Sequence, residues 1–124
     1  MERSQESLRA AEIMLENNML TFSMNRIYYA MFYADQALLV SRKTSFSKHG
    51  HVRAYFNREL IKPGIFPTDM GRLYNKAIEY RQKFDFVDFS NPDRGMVLEY
   101  LELARRFVAH IQEFFQRQDS SVYP

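Results

Sequence analysis

Three residues near the start of the second predicted helix could bind an anion or an aromatic ligand. Arg26 lies in an apolar stretch and is followed closely by Tyr28 and Tyr29. Burying a guanidinium is costly unless it is paired, so Arg26 is expected to bind a carboxylate (Asp35 or Asp85) or a phosphate. Adjacent residues on a helix point in different directions, so we expect one tyrosine in the core and the other beside a groove. The groove tyrosine could stack on a base or pack within a dimer, and both readings stay open.

Arg81 provides a second guanidinium, four residues before Asp85. This spacing places the two side chains on one helix face, where an ion pair stabilises the helix by a few tenths of a kcal/mol, roughly. The same guanidinium could instead bind an anion. The two roles are compatible, and the spacing alone does not choose between them.

Lys48, His49 and His51 form a third polar group, near the start of the third predicted helix. Two histidines without a nearby third ligand or a cysteine make a poor metal site. A phosphate contact at this helix start is one reading, and a simple packing role is the other. His110 is expected at the surface. The surrounding basic residues form either an anion-attracting surface or a solvated face; they are Arg42, Lys43, Lys48, Arg53, Arg58 and Lys62.

Several kinds of chemistry are excluded by residues that the chain lacks. It has no cysteine, which excludes a thiolate nucleophile, a disulfide and a cysteine metal site. It also has no glycine-rich phosphate loop, serine nucleophile motif or paired metal carboxylates. The sequence therefore predicts no metal and no cofactor, and it does not encode a nucleotidyltransferase by itself.

Five predicted helices must position these residues, because apolar residues recur at three- and four-residue steps along most of the chain. Ser4 and Ser47 are candidate N-caps, the fourth helix is predicted to start at Thr68, and Pro92 suits a first helical position. The short alternation at 84–89 is interpreted as an irregular turn. The pattern predicts an all-α fold, an antiparallel up-and-down four-helix bundle with an additional short helix. The predicted helices span about residues 4–17, 21–41, 47–62, 68–85 and 91–118.

Length and composition indicate one domain that buries its own core. The chain has 124 residues, of which 46% are hydrophobic and 15% aromatic, with a formal net charge of +2. We assign residues 4–118 to the helical bundle and 119–124 to a flexible C-terminal tail. The polar start and the lack of a long apolar run predict neither a signal peptide nor a membrane contact. We therefore expect a cytoplasmic protein.

Three segments together resemble the HEPN family of small prokaryotic helical proteins. The strongest is SMNRIYYAMFYA at positions 23–34, with its arginine and double tyrosine. SKHGHV at 47–52 with FNRELIK at 56–62, and AIEYRQKFDF at 77–86, resemble two further family segments in the same order. The resemblance covers roughly residues 4–115, which is most of the chain.

The resemblance implies a homodimer and, in many relatives, a pairing with a minimal nucleotidyltransferase in a toxin–antitoxin-like system. Some HEPN proteins are metal-independent endoribonucleases, which carry an arginine followed after four to six residues by a histidine. Arg81 matches that arginine, but positions 86, 87 and 88 hold Phe, Val and Asp. A phenylalanine cannot transfer a proton or hydrogen-bond a phosphate, so this departure argues against ribonuclease activity of the usual type.

The leading interpretation is a non-catalytic HEPN module that pairs with a nucleotidyltransferase and binds a nucleotide or RNA. Mainly on the resemblance, Arg26, Tyr29, Arg81 and Asp85 form the predicted cleft. The arginines would hold an anion or a partner's acidic groups, and Asp85 would orient them. The alternatives are an endoribonuclease toxin and a purely structural dimeric bundle.

Overall fold

The computed structural model describes residues 1–44, 48–86 and 92–122, with side chains for 1–44, 48–82 and 92–117. These residues form a helical bundle with an additional short helix, and none of them lies in a β-strand, which confirms the predicted all-α fold. The helices are α1 (Glu2–Glu16), α2 (Leu20–Ser41), α3 (His49–Phe56), α4 (Thr68–Phe86) and α5 (Arg94–Val122). A single π-helical turn, Asn57–Ile61, continues α3.

Helices α1 and α2 form an antiparallel pair joined by a short turn. Two buried serines link the pair: Ser4 Oγ donates to the Ala30 carbonyl at 2.7 Å, and Ser23 Oγ to the Ala11 carbonyl at 2.7 Å. The prediction that Ser4 caps the first helix was therefore wrong, since α1 begins at Glu2 and the Ser4 hydroxyl is used between helices. Asn18, in the turn, takes a left-handed φ of 58°.

The core is built around α2, which packs against α1, α4 and α5. Its inward residues Ile27, Met31 and Leu38 are buried, as the three- and four-residue spacing predicts. Aromatic rings fill the space between α3, α4 and α5. Phe56 lies 5.5 Å from the ring of Tyr74 and 5.5 Å from that of Phe107, centroid to centroid. Each such ring buries a large apolar area, so this cluster stabilises the α3–α4–α5 junction.

The π turn after α3 packs closely against the start of α4. A Cβ atom on Gly71 would lie 3.0 Å from Asn57 Oδ1 and 3.2 Å from two carbons of Ile61. Glycine at this position therefore permits the close approach of α4 to the wider π turn. The chain then reverses through Gly64, whose φ of 86° favours glycine. The Pro63–Pro67 loop is where the sequence predicts it.

Two of the predicted boundaries differ from the structure, and two predictions concern residues outside it. α5 begins at Arg94 rather than at Pro92, because the segment before it is not yet helical. α5 continues to Val122, into the predicted 119–124 tail, whose flexibility stays a prediction. The proposed Ser47 cap and residues 87–89 of the predicted turn lie outside the described residues, and α3 itself begins at His49. The prediction of an irregular turn was wrong for residues 84–86, which belong to the last turn of α4. None of the described helices is long and apolar enough to cross a membrane.

Candidate anion-binding site

The two adjacent tyrosines of α2 occupy different environments, as predicted. Tyr28 is only 1% exposed and belongs to the core, whereas Tyr29 is partly exposed and packs against its edge. Their rings meet edge to face at 5.2 Å between centroids. Tyr29 is therefore the tyrosine that a ligand can reach.

Two guanidinium groups converge on Tyr29. The Cζ atom of Arg26 lies 4.7 Å from the centroid of the Tyr29 ring, and that of Arg81 lies 5.1 Å from it. Arg81 Nη2 also donates a hydrogen bond to the Tyr29 hydroxyl at 3.2 Å, and its Cζ lies 5.2 Å from the Tyr28 ring. The ring quadrupoles attract both cations and so help to hold them near one another. The structure thus brings together three of the four predicted cleft residues.

Of the alternatives that the sequence offered for Arg26, the structure does not pair it with Asp35. Arg26 Nε and Nη2 both donate to the neutral amide oxygen of Asn25, at 3.2 and 2.8 Å. Asp35 lies on another face of α2 and is fully buried. The backbone of Asp85 lies within α4, but its side chain is outside the described residues, so its predicted orienting role stays a prediction.

His49, which the sequence placed in a secondary group, is a direct neighbour of the tyrosines. Its ring stacks on Phe32 with centroids 3.9 Å apart, and its Nδ1 lies 3.3 Å from the Tyr28 hydroxyl. Burial and the nearby positive charge of Arg81 lower the pKa of His49 below its ordinary value. The neutral form is therefore favoured, so one ring nitrogen can accept a proton or a hydrogen bond while the other donates a hydrogen bond.

Only part of the wider basic group belongs to this site. Lys48 and His51 are exposed at the start of α3, and of the three residues singled out there it is His49 that contacts Tyr28. Arg42 donates to the Tyr55 hydroxyl at 3.2 Å, and Arg58 pairs with Glu59 at 2.9 Å. These two basic residues have local partners, which favours the reading of the group as a solvated face.

A buried acid–phenol pair, Asp35 and Tyr74, lies beneath the site. Neither Asp35 oxygen nor the Tyr74 hydroxyl has a hydrogen-bond partner of standard geometry among the described residues. Burial raises the pKa of Asp35 well above its ordinary value, and the nearby Tyr74 hydroxyl opposes part of that rise. Burial and the Asp35 carboxyl together raise the pKa of Tyr74. The pair is therefore favoured in its neutral form.

The exposed aromatic surface continues along α2 from Tyr29 to Tyr33. The two rings lie 5.7 Å apart, and the Cζ atom of Arg3 from α1 lies 5.7 Å from the Tyr33 centroid. A polar groove of about 330 Å³ between α1 and α2 is lined in part by Arg3, Arg26 and Tyr33. Cations therefore alternate with aromatic rings along this side of the molecule, an arrangement that suits phosphates and stacked bases.

The groups that converge at this place are cations and hydrogen-bond donors, which are the groups that bind anions in proteins. Within residues 1–44, 48–82 and 92–117, no three His, Cys, Asp or Glu side chains lie close enough together to hold a metal ion. The prominent groups are the guanidiniums of Arg26 and Arg81, the Tyr29 hydroxyl and the His49 imidazole. We use the name Arg–Tyr site for these four residues. His49 was not in the predicted cleft, because sequence spacing gives no sign that α3 folds back onto Tyr28.

Comparison with known proteins matches the chain to the HEPN domain family over residues 1–114. A UPF0332 protein of Thermotoga maritima is 36% identical over 114 residues, covering 92% of this chain and 86% of that protein. Two proteins of Methanocaldococcus jannaschii that carry the name "putative toxin" are 34% and 31% identical, over 68% and 69% of this chain. These two matches span 58% and 64% of the relatives' own lengths.

Proposed function

The chain belongs to the HEPN domain family, and on this premise we propose that it is a non-catalytic module that binds the phosphate of a nucleotide or RNA at the Arg–Tyr site. We further propose that it acts as a homodimer with a minimal nucleotidyltransferase in a toxin–antitoxin-like pair. The toxin names of two relatives support that context.

The observation that carries the binding proposal is the convergence of Arg26 and Arg81 on one reachable ring. Arg26 donates hydrogen bonds from Nε and Nη2 to the neutral side-chain amide of Asn25. No carboxylate within the described part of the chain forms an ion pair with Arg26. A phosphate would therefore meet a guanidinium whose charge is not already neutralised. Charge-assisted hydrogen bonds of this kind are about twice as strong as neutral ones.

The aromatic surface favours a ligand that carries bases over inorganic phosphate. Tyr29 and Tyr33 are partly exposed on adjacent turns of α2, with Arg3 and Arg26 beside them. A base can stack on an exposed ring while its phosphate contacts the neighbouring guanidinium. Stacking of one base on an aromatic side chain contributes roughly 1–3 kcal/mol to binding.

The test is a thermal-shift and calorimetric titration with ATP, GTP and a short single-stranded RNA, on the wild type and on Arg81→Ala. We expect saturable binding to the wild type and a loss of at least about tenfold in affinity in the variant, because a charge-assisted contact is removed. Arg9→Ala, an exposed arginine on α1, is the matched control and should bind as the wild type does. Absence of binding by the wild type, with Arg81→Ala merely less stable, would make the site structural.

The partner proposal has its own test. Co-expression with a minimal nucleotidyltransferase from the same genome should give a complex that co-purifies, and sedimentation of the chain alone should give a dimer. A monomer that forms no complex would contradict this half of the proposal and leave the binding half intact.

Metal-independent ribonuclease activity is the second candidate, and the position of His49 favours it. The chain lacks a histidine at 86–88, but the structure places His49 against Tyr28 and within electrostatic reach of Arg81. A histidine that is neutral at neutral pH could accept a proton from a ribose hydroxyl. RNA cleavage in the presence of EDTA that His49→Ala abolishes would establish this candidate, and intact RNA would favour the non-catalytic module.

A further inference from the structure

A second groove lies between α4 and α5, on a different face of α4 from the Arg–Tyr site. Leu73 and Lys76 line it from α4, whereas Ala77 is buried and Arg81 contacts the tyrosines of α2. Its volume is about 470 Å³. Substitutions in the groove can therefore be made without touching the residues proposed to bind phosphate.

The floor of the groove is apolar. Leu73 and Leu103 are partly exposed in it, and Met70 and Phe107 lie buried below them. Tyr100 completes the floor, with its ring 5.3 Å from that of Tyr80. Covering such partly exposed side chains would remove apolar surface from water and stabilise a complex.

The rim of the groove is basic. Arg72, Lys76 and Arg106 are exposed around it, and His110 is half-buried beside them. Among the described residues, Asp69 is the carboxylate that lines the groove, and Glu79 pairs with Lys76 next to it. Arg106 forms no ion pair within the part of the chain that the structure describes. Three cations therefore stand with two carboxylates around an apolar floor.

The existing ion pairs on the rim would offer little competition to an incoming acid. Arg72 and Asp69 are 3.8 Å apart, and Lys76 and Glu79 are 3.9 Å apart. All four side chains are more than half exposed, so each pair contributes little, typically about 0–1 kcal/mol. Carboxylates brought by a partner can therefore recruit these cations at small cost.

The dimensions of the groove suit a helix. From Asp69 to Lys76 the groove follows two turns of α4, roughly 10 Å. That length accepts apolar anchors at positions i, i+3 or i+4, and i+7 of a docked amphipathic helix. An RNA strand could place phosphates on the rim, but it would leave the leucines of the floor without an apolar partner.

We propose that the α4–α5 groove docks an amphipathic helix of a partner protein, with its apolar face on the Leu73–Leu103 floor and its acidic residues on Lys76 and Arg106. The apolar floor favours a protein helix over RNA, and the basic rim favours an acidic helix over a basic one. The proposal goes beyond the phosphate-binding function and does not depend on it.

The test uses the full chain and two labelled helical peptides that share leucines at positions i, i+3, i+4 and i+7. One peptide carries glutamate beside the leucines, and the other carries lysine. In fluorescence anisotropy the glutamate peptide should bind saturably, and Lys76→Glu/Arg106→Glu should weaken it by about tenfold or more at low salt. Leu103→Ser should also weaken binding, since it removes part of the floor.

Controls separate the groove from the rest of the molecule. Arg9→Glu on α1 and Arg81→Ala at the Arg–Tyr site should both leave peptide binding unchanged, and circular dichroism should show that every variant is folded. Equal binding of the two peptides, or no effect of the double charge reversal, would overturn the proposal. Release of the peptide by single-stranded RNA would also overturn the proposal, because the occupant would then be RNA. A wild-type dimer that becomes a monomer in the double variant would overturn it too, because the occupant would then be a second copy of the chain.

Discussion

Two polar regions lie less than two turns apart on α2, and they have opposite environments. The Arg–Tyr site has two guanidiniums around a partly exposed ring, while the Asp35–Tyr74 pair is sealed in the core, where Asp35 forms no ion pair with the residues that the structure describes. An anionic ligand can bind the positive charges of Arg26 and Arg81, because the Tyr29 ring between them is partly exposed. A buried acid without a partner is instead driven to its neutral form, so it affects stability rather than binding.

Tyr28 connects the two regions. Its hydroxyl reaches His49 on the site side, and its ring lies 6.2 Å from that of Tyr74 on the core side. Burial raises the pKa of Tyr28 to about 12, although the charge of Arg81 opposes the rise. The phenol therefore stays protonated at neutral pH and separates the cations of the site from the buried carboxyl.

The largest expected effect concerns Asp35→Asn. The folded-state pKa of Asp35 is raised, so its stabilising contribution is complete below the unfolded pKa and is lost as the pH rises towards the folded pKa. Each pH unit by which that pKa is raised corresponds to about 1.4 kcal/mol. Asn cannot ionise, so the variant should exceed the wild type in unfolding free energy by at least about 1 kcal/mol near pH 8.

Urea denaturation near pH 8 and near pH 4 checks this difference. The gain should be much smaller at the lower pH, because the carboxyl is protonated in the folded state there and only about half ionised in the unfolded state. Asp69→Asn, an exposed carboxyl on α4, is the matched control and should show no such dependence. If the unfolding free energy of Asp35→Asn differed from that of the wild type by the same amount at both pH values, ionisation of Asp35 would not be the cause of the difference.

A smaller effect is expected for Tyr29→Phe. The variant keeps the ring between Arg26 and Arg81 but removes the hydroxyl that accepts the hydrogen bond from Arg81. Net loss of one such bond should lower the unfolding free energy by about 1 kcal/mol. RNA affinity should fall a few-fold, because Arg81 is no longer held beside the ring. Calorimetric titration of wild type, Tyr29→Phe and Tyr33→Phe measures this. Equal losses in the two variants would assign the effect to hydroxyls in general rather than to the Arg81 contact.

The smallest expected effect is a pH dependence from His49. Its pKa is lowered, so it becomes charged only as the pH falls below its ordinary value. Protonation adds a third cation beside the site, and RNA affinity should rise a few-fold between about pH 7.5 and about pH 5.5. His49→Gln should remove that rise while Arg81→Ala lowers affinity at every pH. A pH profile unchanged by His49→Gln would place the histidine outside ligand binding.

The fold could be predicted from the sequence because helix formation leaves a local and repeated signal. The apolar spacing of α2, from Met24 to Leu38, and the breaks at Asn17–Asn18 and Pro63–Gly64 predict helix boundaries to within a few residues. The role of Ser4 was missed because a serine at a helix start has the same sequence signal whether it caps its own helix or bonds to a neighbour. The π turn was also missed, since it depends on the approach of α4 at Gly71.

The site was predicted only in part, because its members come from three helices. The family-like segments identified Arg26, Tyr29 and Arg81, and the structure brings these three together. No spacing rule links His49 to Tyr28, since α3 reaches α2 only through the tertiary fold. Asp35 was one of the alternatives considered for Arg26 from charge alone, and the helical position of Asp35 turns its side chain into the core instead.

The serine bonds between α1 and α2 have a consequence for the order in which the molecule folds. They join residues 12 and 26 positions apart, so this pair closes a short loop at low entropic cost. Contacts between residues that are close in sequence are expected to form early. The contacts of α5 with α1 and α2 join residues that are far apart in sequence, so they are expected later. Arg26 and Tyr29 therefore belong to the part that forms first, and Arg81 joins them when α4 docks. We therefore expect the candidate site to be complete only after α4 has docked, so that ligand binding would report on the finished protein.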